Sequence, residues 1–557
     1  MSDHAIREHM TVNAPAMAAG AIDYPALLRS DLEQIDFYDS RSHLHTLSGK
    51  DLVNAIRIRA AALAEGGLRR GDRVAMIAAS DEEYLATLLA VLLLGAVPCA
   101  VAPPPTPSRP ESAGVAHVRA ALEVLNPVMV IAQPRVAVAV AHPNVLAYGD
   151  LVDADPIDWQ LLSSAAPGDA HHIQLTSGST SAPKAVLLTH GNVVHNSCAI
   201  AYGTRALRGQ DRVFSWLPLY HDMGFIQVLA ALLYGLRVGV MTPMGFLRDP
   251  TSWIRHMSHH GSTHTAGPPF AYRAVSDAIG RGGVPADVDL SALRHAYVGA
   301  EPIPYAVLRE VTERLAPLGM RSDALVPCYG MAETVLATSI ALQPYSSEGT
   351  SFGRVRGERN PEDDQLVVSC GRAVAGLRLQ ILSPEGELLP DGAVGDVQVS
   401  GPSVMLGYLS PGGGVVAPEG GWHDTGDRGF LAGGELFVVG RGKEMLIVRG
   451  RNFPPYDVER EIDGLSGAGG VSVVFSLHDE QRARESVIAV VGTRAAADEY
   501  DELRARITGG VRAAFGFSLD EVVVVPARTI PLTTSGKRQR LKVREAYRTA
   551  QLVPTGG

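Results

Sequence analysis

Short runs of valine, isoleucine and leucine alternate with stretches of helical period along the first two-thirds of the chain. Arg73–Ala78 reads as a strand, Glu82–Leu94 as a helix and Val97–Val101 as a second strand; Pro127–Ala132 and Val213–Leu217 repeat the short apolar pattern. Strands separated by helices predict parallel sheets covered on both faces. From about Leu366 the texture changes. Val367–Ser369, Leu377–Leu382, Gly395–Ser400 and Leu436–Val439 are of strand length and are set apart by Gly, Pro and Asp turns, which predicts an antiparallel or barrel-like subdomain. After Arg441 a small α/β unit follows, with strands at Gly470–Ser476 and Ser486–Gly492 and a helix over Tyr500–Phe515. No internal repeat is visible. Tyr345–Gln365 is polar, charged and glycine-bearing, and reads as a surface insertion.

Tyr84–Ala102 is almost wholly apolar and approaches the length of a membrane span. Gly95 and Pro98 divide it, and Asp81, Glu82 and Glu83 precede it where a helix N-terminus favours acids. A buried helix ending near Leu94 and then a core strand is the better reading.

The length of 557 residues exceeds what one core supports, so two to four domains are expected. With 46% hydrophobic and 19% charged residues the composition is that of a globular protein. A net charge of −10 argues against a nucleic-acid partner, which needs a basic face. Cys99, Cys198, Cys328 and Cys370 are far apart and lack metal-ligand spacing, so they read as reduced thiols. Met1 to about Gly20 has no basic-then-apolar export pattern; a cytoplasmic location is expected.

The strongest chemical signal is Thr176-Ser-Gly-Ser-Thr-Ser-Ala-Pro-Lys184, placed after the apolar stretch Ile173–Leu175. A loop rich in Gly, Ser and Thr presents backbone N–H groups and hydroxyls to phosphate oxygens, and Lys184 adds a cation. Walker A spacing is absent. A plain Ser/Thr turn is the competing reading of this segment.

Further motifs follow in order, and together they carry a resemblance. Gly299-Ala-Glu-Pro302, Tyr329-Gly-Met-Ala-Glu-Thr334, Trp422-His-Asp-Thr-Gly-Asp427, Gly440-Arg-Gly-Lys-Glu444 and Pro531-Leu-Thr-Thr-Ser-Gly-Lys537 are similar to the motif series of the adenylate-forming superfamily. That superfamily comprises acyl-CoA synthetases, peptide-synthetase adenylation domains and luciferases. The likeness runs from about Tyr24 to Lys542. It implies an α/β fold: a large N-terminal domain of two doubly wound subdomains plus a β-barrel-like one, and a small mobile C-terminal α+β domain. The expected map is a tail over 1–20, the α/β subdomains over 21–365, the β-rich subdomain over 366–442 and the small domain over 443–557.

The resemblance implies an ATP-dependent acid–thiol ligase that makes an acyl-AMP, with Mg²⁺ as cofactor. Attack of a carboxylate on the α-phosphorus brings two anions together, so neutralising and positioning charge dominate the barrier. Lys537, Glu333, Thr176 and Lys184 are the expected catalytic groups, with Lys537 bridging acid and α-phosphate and Glu333 holding the metal. Thr176, Ser177, Gly178, Ser179, Thr180, Gly299, Ala300, Glu301, Pro302, Tyr329, Gly330, Met331, Ala332, Asp427 and Arg441 are expected around the nucleotide. Tyr329 offers a flat face to adenine, and Asp427 can accept from both ribose hydroxyls. Singly, each of these residues has an ordinary explanation as a turn, a cap or a solvated charge. Their order along the chain argues for the site.

Ala102-Pro-Pro-Pro-Thr-Pro107, Leu217-Pro-Leu-Tyr-His-Asp-Met-Gly224, Leu446-Ile-Val-Arg-Gly-Arg-Asn452 and Ala332 resemble the fatty-acyl-AMP ligase branch. Its members carry an insertion after the Mg²⁺ motif and pass the acyl group to a carrier protein instead of CoA. The interval from Thr334 to Cys370 is shorter and less hydrophobic than such an insertion, so both thiols stay open. A lipophilic acid is expected against His221, Met223, Gly224 and Gly299, with Lys443 as hinge and Arg449 and Gly450 along the thiol tunnel. Ser181 and Ala185 stand where the phosphate loop commonly has Gly. Tolerated drift is the plain reading of both; the sharper alternative is that a methyl at Ala185 restricts approach to the phosphates and weakens ATP use, leaving an acyl-CoA synthetase better at the second half-reaction. A non-catalytic nucleotide or carrier-binding module and a kinase-like ATPase are the rivals of different class. Intact Glu333, Asp427 and Lys537 argue against the former, and release of ADP would mark the latter.

Overall fold

A computed structural model of the chain describes residues 15–17, 19–30, 32–104, 113–137, 140, 142–176, 183–283, 287–342, 356–361, 366–410, 414–444, 446–448, 451–453, 455–467, 470–479, 484–532 and 537–552. Two large sheets dominate. The eight-stranded one has Arg73–Ile77, Val97–Val101, Met129–Ala132, Val145–Ala147 and Ala170–Thr176 in parallel. It ends in the antiparallel Lys184–Thr189, Gly407–Leu409 and Val415–Val416. The nine-stranded sheet has a parallel centre of Ile35–Tyr38, Arg237–Met241, Arg212–Ser215, His264–Gly267, His295–Val298 and Leu325–Gly330. Antiparallel strands close both of its edges.

The largest apolar cluster lies between these sheets and includes residues from the helices Gly49–Glu65, Glu82–Leu93, His190–Thr204 and Asp222–Leu233. The apolar run at Tyr84–Ala102 is thereby explained. Asp81 caps the helix by accepting from the Tyr84 N–H at 2.9 Å, every residue from Tyr84 to Leu93 is buried, and the chain returns as the strand Val97–Val101. Among the described residues no helix is long and apolar enough to cross a membrane.

The β-rich region is antiparallel, the first of the two expected forms, and not the barrel-like one. Among the described strands there is no closed barrel; Arg378–Leu382, Gly395–Ser400, His423–Ala432 and Glu435–Arg441 form an open four-stranded antiparallel sheet. Two of its neighbours leave for the large sheets: Arg372–Ala373 edges the nine-stranded sheet and Gly407–Leu409 pairs with Val186 and Leu187. The unpaired edge of Lys184–Thr189 takes up that strand, which removes an exposed edge. The segment read as a surface insertion also departs in part. Gly357–Arg359 pairs antiparallel with Leu366–Val368, and Asn360 is buried. Residues 343–355 and 362–365 lie outside the described residues.

In the C-terminal region Val471–Asp479, Arg484–Thr493 and Glu521–Pro526 make a three-stranded sheet. Pro455–Leu465 and Tyr500–Phe515 cover one face and Arg540–Arg548 the other, giving two separate apolar clusters.

Candidate active site

A cavity of about 2870 Å³ lies where the carboxyl ends of the nine-stranded sheet, the Lys184 hairpin, the four-stranded sheet and the small domain meet. Ligand pockets usually measure roughly 300–1,000 Å³, so this one holds more than a single small molecule. Its position outside the carboxyl ends of parallel strands is the usual binding place in open α/β sheets.

At one end Tyr329 leaves the strand Leu325–Gly330 and its hydroxyl donates to Asp427 Oδ2 at 2.6 Å. Arg441 Nε lies 3.0 Å from Asp427 Oδ1. Asp427 and Arg441 face each other across a register pair of the four-stranded sheet, so the hairpin itself sets that contact. Burial raises the Asp427 carboxyl above its usual range, and Arg441 and the Tyr329 hydroxyl oppose the rise. Gly330 is required by sterics: a Cβ there would sit 1.7 Å from the Leu336 carbonyl oxygen. Met331 and Ala332 also line the cavity.

Glu333 follows in a short 3₁₀ turn. Its Oε1 accepts from the Tyr408 hydroxyl at 2.7 Å, and its carbonyl accepts from the Met405 N–H. Val335, two residues on, is fully buried at φ +72°, a conformation a β-branched residue adopts only when its surroundings impose it. That turn is therefore fixed by core packing. Lys184 Nζ stands 4.8 Å from the centre of the Tyr408 ring, so one tyrosine touches both the carboxylate and the lysine. Thr176 pairs with Lys184 across the hairpin. Ser177, Gly178, Ser179, Thr180 and Ser181 lie outside the described residues.

Ala185 does not restrict the phosphate side. Strand alternation turns Lys184 outward and Ala185 inward, where its methyl is fully buried with Ala75, Val101 and Ile173. The alternative of weakened ATP use thus loses this residue as its ground, and tolerated drift accounts for it.

On the other side of the cavity His221 and Asp222 open the helix Asp222–Leu233, with His221 Nδ1 at 2.6 Å from Asp222 Oδ1. Burial raises the Asp222 carboxyl, but His221, Lys537 and the Met223 N–H together hold it below its usual range. Met223, Ala300, Glu301 and Pro302 line the cavity. Ala300 sits at φ +67° in the turn after His295–Val298, which aims Glu301 inward. Burial pushes the Glu301 carboxyl up, and Lys537, Arg538 and His221 draw it back. Gly224 and Gly299, expected along the acyl channel, do not line it. A Cβ on Gly224 would meet the Pro218 carbonyl at 2.3 Å and one on Gly299 the Cys328 carbonyl at 2.7 Å, so both glycines serve close packing behind the wall.

Lys537 comes from the small domain and interacts electrostatically with Asp222, Glu301 and Asp427, three acids of the large domain. Its neighbours are anchored firmly. Leu532 bridges Arg538 across the turn, and Arg538 pairs with Asp463 and, at 2.9 Å, with Glu459. Arg540 pairs with Glu444 and bonds both Glu459 oxygens at 2.9 Å. Glu459 is wholly buried and accepts from the Val474 N–H as well, so the buried charge is fully paired. Lys443 lies in the turn Gly442–Glu444 that joins the domains. Arg449 and Gly450 lie outside the described residues.

The arrangement can hold a planar base near Tyr329, a diol at Asp427 and phosphates between Lys184 and Lys537. Tyr408 and Glu459 carry no signal in the sequence: Tyr408 sits in a short strand paired on both sides, and Glu459 is one acid among several on an amphipathic helix. Asp222 lay inside the Leu217–Gly224 motif, between His221 and Met223.

Comparisons with known proteins agree with this geometry. A family profile described as AMP-binding enzyme matches residues 21–409. The long-chain-fatty-acid–AMP ligase FadD26 of Mycobacterium marinum is 31% identical over 529 residues, covering 86% of this chain and 87% of its own. A Mycobacterium tuberculosis chain provisionally named as a fatty-acid–CoA ligase, FadD21, is 30% identical over 537 residues, covering 87% and 89%. A solved structure from studies of fatty acyl-adenylate ligases of E. coli and L. pneumophila superposes with a TM-score of 0.82 at 27% identity, covering 95% of this chain and 97% of that one. The chain therefore belongs to the AMP-binding enzyme family and is an ATP-dependent, adenylate-forming acyl ligase.

Proposed function

We propose that the protein condenses a lipophilic carboxylic acid with ATP to an acyl-adenylate and pyrophosphate, then passes the acyl group to a thiol, with a carrier protein as the preferred acceptor over CoA. The observation that carries the first step is the convergence of Lys537 on Asp222, Glu301 and Asp427 from the opposite domain. A cation in the field of three acids across the cavity is placed to be shared with the incoming carboxylate and the α-phosphate when charge develops there. Tyr329 takes the adenine face, Asp427 and Arg441 the ribose, and Thr176, Lys184 and the loop of Ser177, Gly178, Ser179 and Thr180 the outer phosphates. Ala300, Glu301, Pro302, Gly330, Met331 and Ala332 frame the nucleotide, while His221 and Met223 stand at the mouth of the acyl channel.

A magnesium ion fits Glu333. One carboxylate oxygen is engaged by Tyr408, and a single protein carboxylate suits an ion otherwise held by water and phosphates. When bound, the ion neutralises phosphate charge. Lys443 serves as the hinge for the small domain in thiol transfer, and Arg449 and Gly450 border the thiol's path. The branch motifs Leu217–Gly224 and Leu446–Asn452 favour a carrier thiol, whereas relatives are named for both AMP-ligase and CoA-ligase activity.

The test is acid-dependent exchange of labelled pyrophosphate into ATP, followed by mass spectrometry with CoA and a holo-carrier protein offered together. Exchange with AMP as the nucleotide product and acyl-carrier as the thioester is expected. ADP as product refutes adenylation, no exchange with any acid returns the non-catalytic binding module, and acyl-CoA alone refutes the carrier.

A further inference from the structure

The acyl channel is walled by two helix faces. From Asp222–Leu233 and its cap come Met223, Ile226, Gln227, Ala230, Ala231 and Tyr234; from His190–Thr204 come Ser197, Ile200, Ala201 and Thr204. The spacing of three and four residues places each set on one side of its helix. Neither set carries a charge, and the alanines leave room for a ligand chain.

Two polar residues break this lining. Both amide atoms of Gln227 are buried without a hydrogen-bond partner, and so is the hydroxyl of Ser197, a residue only 1% exposed. A helical Ser or Thr normally satisfies itself on the carbonyl one turn back. Thr204 on the same face does so, donating to the Ile200 carbonyl at 2.8 Å, and Ser197 does not. Buried polar groups with no partner are uncommon and point to a missing one. Gln227 presents a donor and an acceptor together, as a hydroxyl or keto group requires. It lies five residues beyond Asp222, roughly 8 Å further along the helix axis, so the partner belongs to the tail of the acid and not to its carboxylate.

We propose that the acid carries a neutral oxygen substituent, a hydroxyl or keto group, part-way along its chain, and that Gln227 and Ser197 recognise it. This rests on the reading of the cavity as an acyl-adenylate site. A channel built to meet such a group disfavours the plain hydrocarbon, because the saturated acid leaves the amide and hydroxyl unpaired.

The test separates binding from turnover. Acyl-sulfamoyl adenosines, which mimic the acyl-adenylate without reacting, are made with chain-matched saturated tails and with tails hydroxylated or oxidised to a ketone at successive carbons. Titration calorimetry on the full chain is expected to give one position at which the oxygenated compound binds roughly tenfold or more tightly than the saturated one. Gln227→Leu and Ser197→Ala are expected to abolish or invert that preference, with circular dichroism and thermal melting reporting on their fold. Equal or tighter binding of the saturated tail by the wild-type chain overturns the proposal without reference to any variant; trapped water meeting Gln227 gives that result. Failure of every compound to bind overturns it too. Absence of pyrophosphate exchange alongside a measured tail preference refutes the adenylation reading and leaves the recognition intact.

Discussion

The Tyr408 hydroxyl donates to Glu333 Oε1 at 2.7 Å from a strand that is hydrogen-bonded to the Lys184 strand at Val186. The contact ties the proposed metal carboxylate to the phosphate hairpin through a residue outside every recognised motif. Tyr408→Phe removes that bond to a charged acceptor and keeps the ring beneath Lys184. Exchange is expected to fall roughly tenfold, from a loss of about 1.5 kcal/mol. Raised magnesium is expected to restore part of it, and the melting temperature to stay near that of the wild type. Unchanged exchange at limiting magnesium removes Tyr408 from the site.

Lys537 and Glu459 separate chemistry from scaffolding. Lys537→Met is expected to lower pyrophosphate exchange by roughly two orders of magnitude or more with the fold intact, since the proposed role of the lost group is to act where charge develops. Glu459→Leu leaves Arg538 and Arg540 buried without their shared acid and is expected to cost about 3–5 kcal/mol in the small domain. Denaturant unfolding and exchange measured on both variants distinguish the two effects.

Ala185→Gly tests which way that strand faces. A methyl crowding the phosphates predicts faster exchange on its removal. A methyl in the core predicts no gain and a loss of about 1 kcal/mol, from lost packing and added backbone freedom. The second outcome is expected.

Acid sensitivity is written into the entry to the first sheet. His171, His172 and His190 are buried together; Tyr24 Oη lies 2.8 Å from His171 Nε2, and His190 Nδ1 accepts from the Ile22 N–H at 3.3 Å. Burial holds His190 down to about 4 and His172 to about 3, below an ordinary 6.5. The folded state thus binds fewer protons than the unfolded one within this window. Their contribution is complete above about pH 6.5 and declines as pH falls towards 4. Melting temperature is expected to drop steadily from pH 7 to pH 5, and less steeply in His190→Asn, which keeps an acceptor but does not titrate.

Much of this was legible in the sequence, for identifiable reasons. Arg73–Ile77, Glu82–Leu93, Val97–Val101 and Tyr500–Phe515 follow local periodicity and sit where periodicity puts them. The phosphate hairpin, Tyr329, Glu333, Asp427 and Lys537 stand on short motifs whose residue types match a charge problem. What escaped depends on distance along the chain. Ile35–Tyr38 pairs with Arg237–Met241 some two hundred residues away, and Gly407–Leu409 crosses to Lys184–Thr189, so neither partner is written locally. The face taken by Ala185 was misread because a loop motif was extended one residue into a strand, where alternation decides. Glu459 and Tyr408 act through partners that only the fold brings near.

The crossing of Gly407–Leu409 into the eight-stranded sheet also fixes where the molecule is severable. Asn192 Nδ2 donates to the carbonyls of Pro402 and Val404 at 2.8 Å beside that crossing, so the β-rich region is sewn to the first sheet from two sides. The described residues up to Arg441 thus form one block carrying the proposed base, ribose and acyl-tail sites, while Lys537 arrives on a separate piece. Chimeras cut after Arg441 should inherit acid choice from the front parent and acceptor choice from the rear one, whereas a cut near residue 366 divides a stitched fabric.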